Sequence, residues 1–384
     1  MYHQKDIYKT LQKHLDRMPV GYPAARSGVE LRILKNLFTP DEAWLATFLT
    51  HRFEPAGTIC KSAEPFGFCS DTCTGMLDSM AGKGAILKKE GGRVARYALV
   101  PFVIGMFEFQ VNHLTPAFYK DTAQYFQEAY GLEYLSTPRP QMRVIPIEQS
   151  ITDDAQVATY DEIRQIIEQT DGKIGVAECI CRKGMDLIGQ PCRKTDRREV
   201  CLGFRDYFDT YQREGWFREI SKKEALENLA QSEQEGLVLQ ATNEQYPQAV
   251  CACCSCCCGI LRTLQSIPNP GDFVAANYRC RADSDKCVGC GICVDRCPMG
   301  AISLSDKKAV IDPKRCIGCG VCVPACKPGA LSLEKRKVPA IPPETTEDLY
   351  EAIKAEKSRW AKAKTALKIL RHMHLKDIRA LMGI

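Results

Sequence analysis

Along the first hundred residues the apolar positions recur at helical spacing. Ile7, Leu11, Leu15 and Met18 fall on one stripe and predict a short amphipathic helix within residues 1–18. Further helices are predicted over 30–38 and, capped by Thr39-Pro40-Asp41, over 42–50. After a turn at 54–57, Ser70 opens a helix through Met80 that carries Cys73, Met76, Leu77 and Met80 on one face. The period then changes. GAILKKEGGRVARYALV reads as strand, Gly91-Gly92 turn, strand, which predicts a β-hairpin.

Farther on, 116–131 predicts a helix and 137–146 a proline-rich connection. A helix starting near Tyr160 is ended by Asp171-Gly172, and residues 174–181 predict a strand. Two more helices are expected near 205–214 and 221–234. Past a proline-rich linker, Leu349, Ile353, Trp360, Ala363, Leu367 and Leu370 mark the apolar stripe of a basic helix. Such a helix can fold back on its own protein, dock a partner, or lie on an anionic membrane surface. The most apolar run, 98–107, contains a proline and has about half the length of a membrane span, so no transmembrane segment is expected.

At 384 residues, 45% hydrophobic and 26% charged, the chain has room for several domains with a sizeable core. A formal charge of +5 permits acidic partners without arguing for nucleic acid. The composition departs from the ordinary in its 22 cysteines. No apolar signal segment opens the chain, and a cysteine-rich chain of that kind is expected to bind metal in a reducing cytoplasm, in an anaerobe.

Eight cysteines form two runs of identical C-x2-C-x2-C-x3-C spacing: Cys287, Cys290, Cys293, Cys297 and Cys316, Cys319, Cys322, Cys326. Each member of the second run lies 29 residues after its counterpart, and Ala301-Ile302-Ser303-Leu304 is matched by Ala330-Leu331-Ser332-Leu333, an internal duplication. Three cysteines at this spacing can wrap one corner of an iron–sulfur cube. Gly289, Gly291, Gly318 and Gly320 let backbone amides approach the sulfides. Zinc is the other reading of the same thiolates. Residues 283–335 closely resemble the bacterial two-[4Fe-4S] ferredoxin domain. The resemblance implies two [4Fe-4S] clusters, one on Cys287, Cys290, Cys293 and Cys326, the other on Cys316, Cys319, Cys322 and Cys297. Lys327 intervenes between Cys326 and Pro328, where the pattern has proline directly.

Two further cysteine patches lie upstream. IGVAECICRKGMDLIGQPCRKTDRREVCLGF holds Cys179, Cys181, Cys192 and Cys201. If 174–181 is a strand, Cys179 and Cys181 share a face. CACCSCCCGILRTL holds Cys251, Cys253, Cys254, Cys256, Cys257 and Cys258, on a helix or a loop. Ten thiols exceed what one cube takes, so some from each patch are expected to bind at least one further Fe–S cluster, the rest being supporting or redox-active thiols. Zinc and metal-free thiols are the alternatives. A heterodisulfide-reductase CCG domain needs two Cys-Cys-Gly motifs, and only Cys257-Cys258-Gly259 is present. Cys60, Cys69 and Cys73 are read as small buried residues.

Helix–helix–hairpin over 25–105 resembles a winged-helix domain. That implies either DNA binding through the helix before the hairpin, with Arg93 and Arg96 in the wing, or a docking module. The helix has few basic side chains, which disfavours nucleic acid. The whole arrangement is similar to a group of anaerobe proteins that join these parts, which implies electron transfer. The expected fold is α+β and multidomain: a winged-helix-like domain (1–110), a central α/β cysteine-rich domain (111–282), a two-[4Fe-4S] ferredoxin domain (283–337), and a linker with an amphipathic helix (338–384). The expected function is relay of single electrons between a partner oxidoreductase and a central cysteine-bound centre. Cations beside the loops (Lys286, Arg296, Lys314, Arg315, Lys327) would favour the reduced clusters and an acidic partner. A reductase with its active centre in the central field and a redox-sensing DNA-binding regulator are the competing functions. No dinucleotide fingerprint is present.

Overall fold

The computed structural model describes residues 6–90, 94–137, 139–151, 159–212, 215–357, 363 and 367. The protein is a mixed α+β, multidomain molecule.

The N-terminal part runs α1 (Ile7–Leu15), α2 (Val29–Leu37), α3 (Pro40–Ala46), β1 (Glu54–Pro55), α4 (Ala56–Ala63), α5 (Ser70–Gly82), β2 (Ile86–Lys89) and β3 (Arg96–Leu99). Leu11, Leu15 and Met18 bury the predicted stripe of α1. Thr39 and Glu42 form a reciprocal capping box behind Pro40, which fixes the start of α3. The strands form a sheet ordered β1-β3-β2. Cys69, not Ser70, is the N-cap of α5, and its sulfur lies 2.9 Å from Thr72 Oγ1. Buried Cys60 and Cys73 are joined as a disulfide between α4 and α5, while Cys69 is exposed. Those three cysteines are therefore not a uniform set of buried thiols, and a disulfide is not what a reducing compartment predicts. Arg93 lies outside the described residues.

Beyond β3 the apolar run forms an irregular buried turn (Phe102–Met106). Phe102 packs edge-on against Tyr22, Tyr125 and Tyr130, joining the N-terminal helices to α6 (Pro116–Tyr125) and α7 (Gly131–Ser136).

The middle of the chain builds a six-stranded sheet from β4 (Met142–Ile145), β5 (Ile174–Glu178), β6 (Glu199–Phe204), β7 (Arg218–Ile220), β8 (Val238–Thr242) and β9 (Ala249–Cys253), ordered β4-β8-β9-β6-β5-β7. Helices α8 (Ile163–Glu168), α9 (Ile180–Leu187), α10 (Arg205–Gln212), α11 (Lys222–Gln234) and α12 (Gly259–Gln265) connect and cover it. Every pairing between its strands is antiparallel, so this part is α+β and not the α/β expected. Two other expectations fail locally. The proline-rich connection contains β4, tolerated because it lies at the sheet edge with Pro140 and Pro146 outside its ladder. The strand expected over 174–181 ends at Glu178, where Cys179 becomes the N-cap of α9, so Cys179 and Cys181 do not share a strand face.

The C-terminal part pairs β10 (Tyr278–Ala282) with β13 (Leu331–Lys335), and β11 (Ile302–Ser305) with β12 (Lys308–Ile311), around the short helix α13 (Ile292–Arg296). Two of its arginines seize the ends of central helices. Arg296 donates to Glu233 O (3.0 Å) and Gln234 O (2.8 Å) at the end of α11, and to Val321 O. Arg315 donates to Gln265 O (3.3 Å), Ile267 O (3.0 Å) and Pro268 O (3.4 Å) after α12, and to Met299 O. Cations there satisfy last-turn carbonyls and oppose the negative helix end.

Helix α14 (Thr346–Glu356), started by a Thr345–Asp348 capping box, buries Leu349, Tyr350 and Ile353 against its own protein. Glu351 pairs with Arg52 (2.7 Å) and Lys357 with Glu133 (2.9 Å). Ala363 and Leu367 are exposed, and Trp360 and Leu370 lie outside the described residues. No described helix is long and apolar enough to cross a membrane.

Candidate metal centres

The two C-terminal cysteine loops each close on a small cavity of about 20 Å³. Cys287, Cys290, Cys293 and Cys326 line the first, and Cys297, Cys316, Cys319 and Cys322 the second. The loops turn on Gly289, Gly291, Gly318 and Gly320, whose φ values of 71°, 80°, 73° and 75° lie in the left-handed region. A Cβ on Gly289 would strike Lys307 O, and one on Gly318 would strike Tyr278 O. Backbone amides already point at sulfur: Ala309 N to Cys287 (3.3 Å), Ala301 N to Cys297 (3.2 Å) and Cys280 N to Cys316 (3.3 Å). Burial pushes the thiols of Cys297, Cys316 and Cys319 up, so bare thiolates are disfavoured there and a cationic metal core is what would hold them deprotonated. Four repeat cysteines per cavity, glycine turns and amide donors fit a cubane cluster in each.

The two cavities differ in the exposure of their cysteines. Cys290 is exposed, and around it stand the exposed apolar side chains of Val288 (68%), Ile292 (48%) and Leu304 (43%). Cys316, Cys319 and Cys322 are buried, and Cys319 O accepts the Ile147 amide (3.1 Å) just after β4. The outer cavity meets solvent; the inner one meets the central sheet.

A ninth cysteine belongs to the inner cavity. Cys280, on β10, lines it, with its sulfur 3.6 Å from that of Cys322. No repeat spacing marks this residue, and sequence reasoning passed over it. With Cys322 bound as thiolate, only Cys280 has a proton to share. Cys280→Ala is expected to leave the cluster assembled but lower its potential by about 40 mV, the one-electron equivalent of about 1 kcal/mol for one hydrogen bond. A redox titration followed by EPR measures it, and an unmoved potential would refute the role.

The central thiols converge from three directions. The register sets Cys201 of β6 opposite Cys251 of β9, with their sulfurs 3.8 Å apart. Cys253 follows two residues along β9, Cys254–Cys257 form the turn, and Cys258 is the N-cap of α12. The six-cysteine stretch is thus neither helix nor loop alone, but strand, turn and cap. The N-terminus of α9 brings Cys179 and Cys181, and the loop beyond it Cys192.

Cys179, Cys181, Cys201, Cys251, Cys253, Cys254, Cys257 and Cys258 line a cavity of about 80 Å³, whose other walls include Val103, Ile104, Phe107 and Met142. By the same measure it is four times the size of either ferredoxin cavity. Gln240 Nε2 donates to Cys258 (3.7 Å). Glu108, also on the wall, has its carboxyl pushed up to about 8 by loss of solvent, with Gly105 N bonded to it at 2.8 Å. Two of the cavity cysteines, Cys254 and Cys257, also form with Cys192 and Cys256 a second, tighter group, all within 4.8 Å of one another. Arg182, fully buried, lies between the two groups. Nη2 bonds Ala252 O (2.9 Å), and Nε and Nη1 have no nitrogen or oxygen partner. Burial pulls the guanidinium down, but Cys179, Cys254, Cys253 and Cys192 outweigh it and hold the charge. Cys254 is held down to about 5, first by its bond with Cys257 and then by Arg182; Cys179 drops to about 7, first through Cys181. A buried cation with sulfur for company requires thiolate, which fits metal-bound cysteine in both groups.

Residues 286–330 match the 4Fe-4S dicluster domain family. A 33-residue stretch, 9% of this chain, is 54% identical to Ferredoxin-2 of Desulfomicrobium norvegicum and covers 56% of that protein. The chain thus spans about half the length of the curated relative it matches. No solved structure matches the chain. The C-terminal part is a ferredoxin-type 4Fe-4S domain, joined to a central cysteine cluster of a kind that suits iron–sulfur electron transfer.

Proposed function

We propose that the protein carries single electrons inward, from a partner oxidoreductase at the outer ferredoxin site to the thiol-lined central cavity. The observation that carries this reading is the unequal exposure of the two ferredoxin cavities, Cys290 being exposed and Cys316, Cys319 and Cys322 buried. Iron–sulfur clusters on these thiols would supply the one-electron steps. The chain's own part is to fix distance and dryness. Val288, Ile292 and Leu304 offer an apolar landing surface, and exposed Lys308, bonded to Cys287 O, stands by the same loop for an acidic partner. Arg296 and Arg315, beside the loops, keep their charge for the reduced clusters while bonded to backbone carbonyls. They act as straps that seat the inner loop on the central sheet.

Anaerobically purified protein should contain about twelve or more irons, about eight of them in the ferredoxin sites. Cys319→Ser should leave the extra iron unreduced when a protein-sized donor supplies the electrons. About eight irons in all would remove the central centre from this reading.

The cavity itself favours a second reading, a reductase fed by the ferredoxin part. Its size leaves room for a small apolar substrate, and Glu108 keeps a proton at neutral pH. The order β1-β3-β2 after α3 suits a winged-helix-like module. Its α5 carries Asp71 and Asp78 and no lysine or arginine, so a docking role is better supported than DNA reading.

A further inference from the structure

In the four-thiol group all the sulfurs lie close together, which no three of the other six cavity cysteines match, and spacing reports nuclearity. In the four-thiol group the sulfurs stand 3.6 Å (Cys192–Cys254), 3.8 Å (Cys192–Cys256), 3.4 Å (Cys254–Cys256) and 3.7 Å (Cys256–Cys257) apart. Four thiolates on one tetrahedral ion, each about 2.3 Å from it, are about 3.8 Å from one another. Thiolates on a cube sit on four separate irons and stand farther apart. Among the described residues no other three metal-binding side chains are gathered this closely, the eight ferredoxin cysteines included. The same fold therefore holds an internal standard for cubane spacing, and this group is tighter.

We propose that Cys192, Cys254, Cys256 and Cys257 hold one mononuclear ion, zinc or iron, in tetrahedral sulfur coordination. Its charge balance is present. Four thiolates on a divalent ion carry a net charge of −2, and Arg182 stands beside Cys192 and Cys254 as a buried counter-charge. The Lys194 amide donates to Cys192 (3.5 Å), as the ligand loop of such a site requires. The ion ties the loop after α9 to the turn between β9 and α12. That turn sits between Cys253 and Cys258, so the ion sets where both of those thiols meet the cavity. Cys254 and Cys257 also line the cavity, so the ion would form part of its wall beside whatever the other six cysteines hold.

The test is metal and sulfide analysis of anaerobic protein, with X-ray absorption at the edge of the metal found. Zinc is expected at one per chain, with four sulfurs at about 2.3 Å and no metal neighbour. If the ion is iron, one iron per chain should have no matching sulfide. Cys256→Ser should remove that one ion and leave acid-labile sulfide and the cluster EPR signals unchanged. Loss of about four irons and four sulfides with Cys256→Ser would overturn the proposal. So would native protein with no metal beyond whole clusters, a measurement that does not depend on the variant folding.

Discussion

Replacing Arg182 by glutamine is expected to weaken metal retention in the central field about 10–100-fold while both ferredoxin sites stay filled. The expectation rests on charge. Arg182 is fully buried, its Nη2 is bonded to a backbone carbonyl, and its remaining nitrogens have thiols around them in place of a carboxylate. Glutamine can keep a donor near Ala252 O but brings no charge to offset the thiolates. Each thiolate group would then be buried with its charge less well balanced, and the protons that compete with metal for sulfur would gain. Total iron and zinc after dialysis against a chelator, beside the ferredoxin EPR signal, separates the outcomes. Equal retention in both proteins would show that Arg182 is a packing residue and nothing more. General loss of iron, the ferredoxin sites included, would point to misfolding, and Arg182→Lys, which restores charge without the planar fork, would then have to recover central metal.

The second large effect is mechanical. The double variant Arg296→Ala, Arg315→Ala is expected to loosen the seating of the ferredoxin part by roughly 3 kcal/mol, about a hundredfold in the ratio of seated to unseated forms. Each arginine satisfies carbonyls at a helix end, so its loss exposes or strands those acceptors. The Ile147 amide, bonded across the junction to Cys319 O at 3.1 Å, reports the opening. Its hydrogen exchange should quicken about a hundredfold, with ferredoxin EPR signals unchanged and reduction of the central centre slowed. Unaltered exchange at Ile147 would mean that the apolar contacts suffice without the straps.

The parts of this protein that sequence reveals are those whose chemistry is local. The C-x2-C-x2-C-x3-C runs bind through loops whose every constraint lies within a dozen residues, so spacing alone exposes them. The capping box at Thr39 and Glu42 is equally local. The central field is the opposite case. Whether Cys201 belongs with Cys251 is decided by the pairing of β6 with β9, across 50 residues, and a one-residue slip would turn either sulfur to the other face. Cys192 joins Cys254 and Cys256 only because the loop after α9 returns to the turn after β9. Ten thiols could therefore be named as a metal field, but not divided. Strand β4 was hidden for another reason: its flanking prolines advertise a connection, and only the neighbouring β8 makes Met142–Ile145 a strand. Cys280 carries no motif at all, and its place is set by the pairing of β10 with β13.

That last pairing reaches beyond Cys280. Tyr278 and Lys335 are opposite one another, so the segment between them departs and comes home at a single spot. A piece of chain with adjoining ends can be lifted out, or spliced in, without stretching its host. The dicluster segment thus has the build of a cassette, plugged into two helix ends of its present host by Arg296 and Arg315 and bonded to it elsewhere at Ile147 and Gly271.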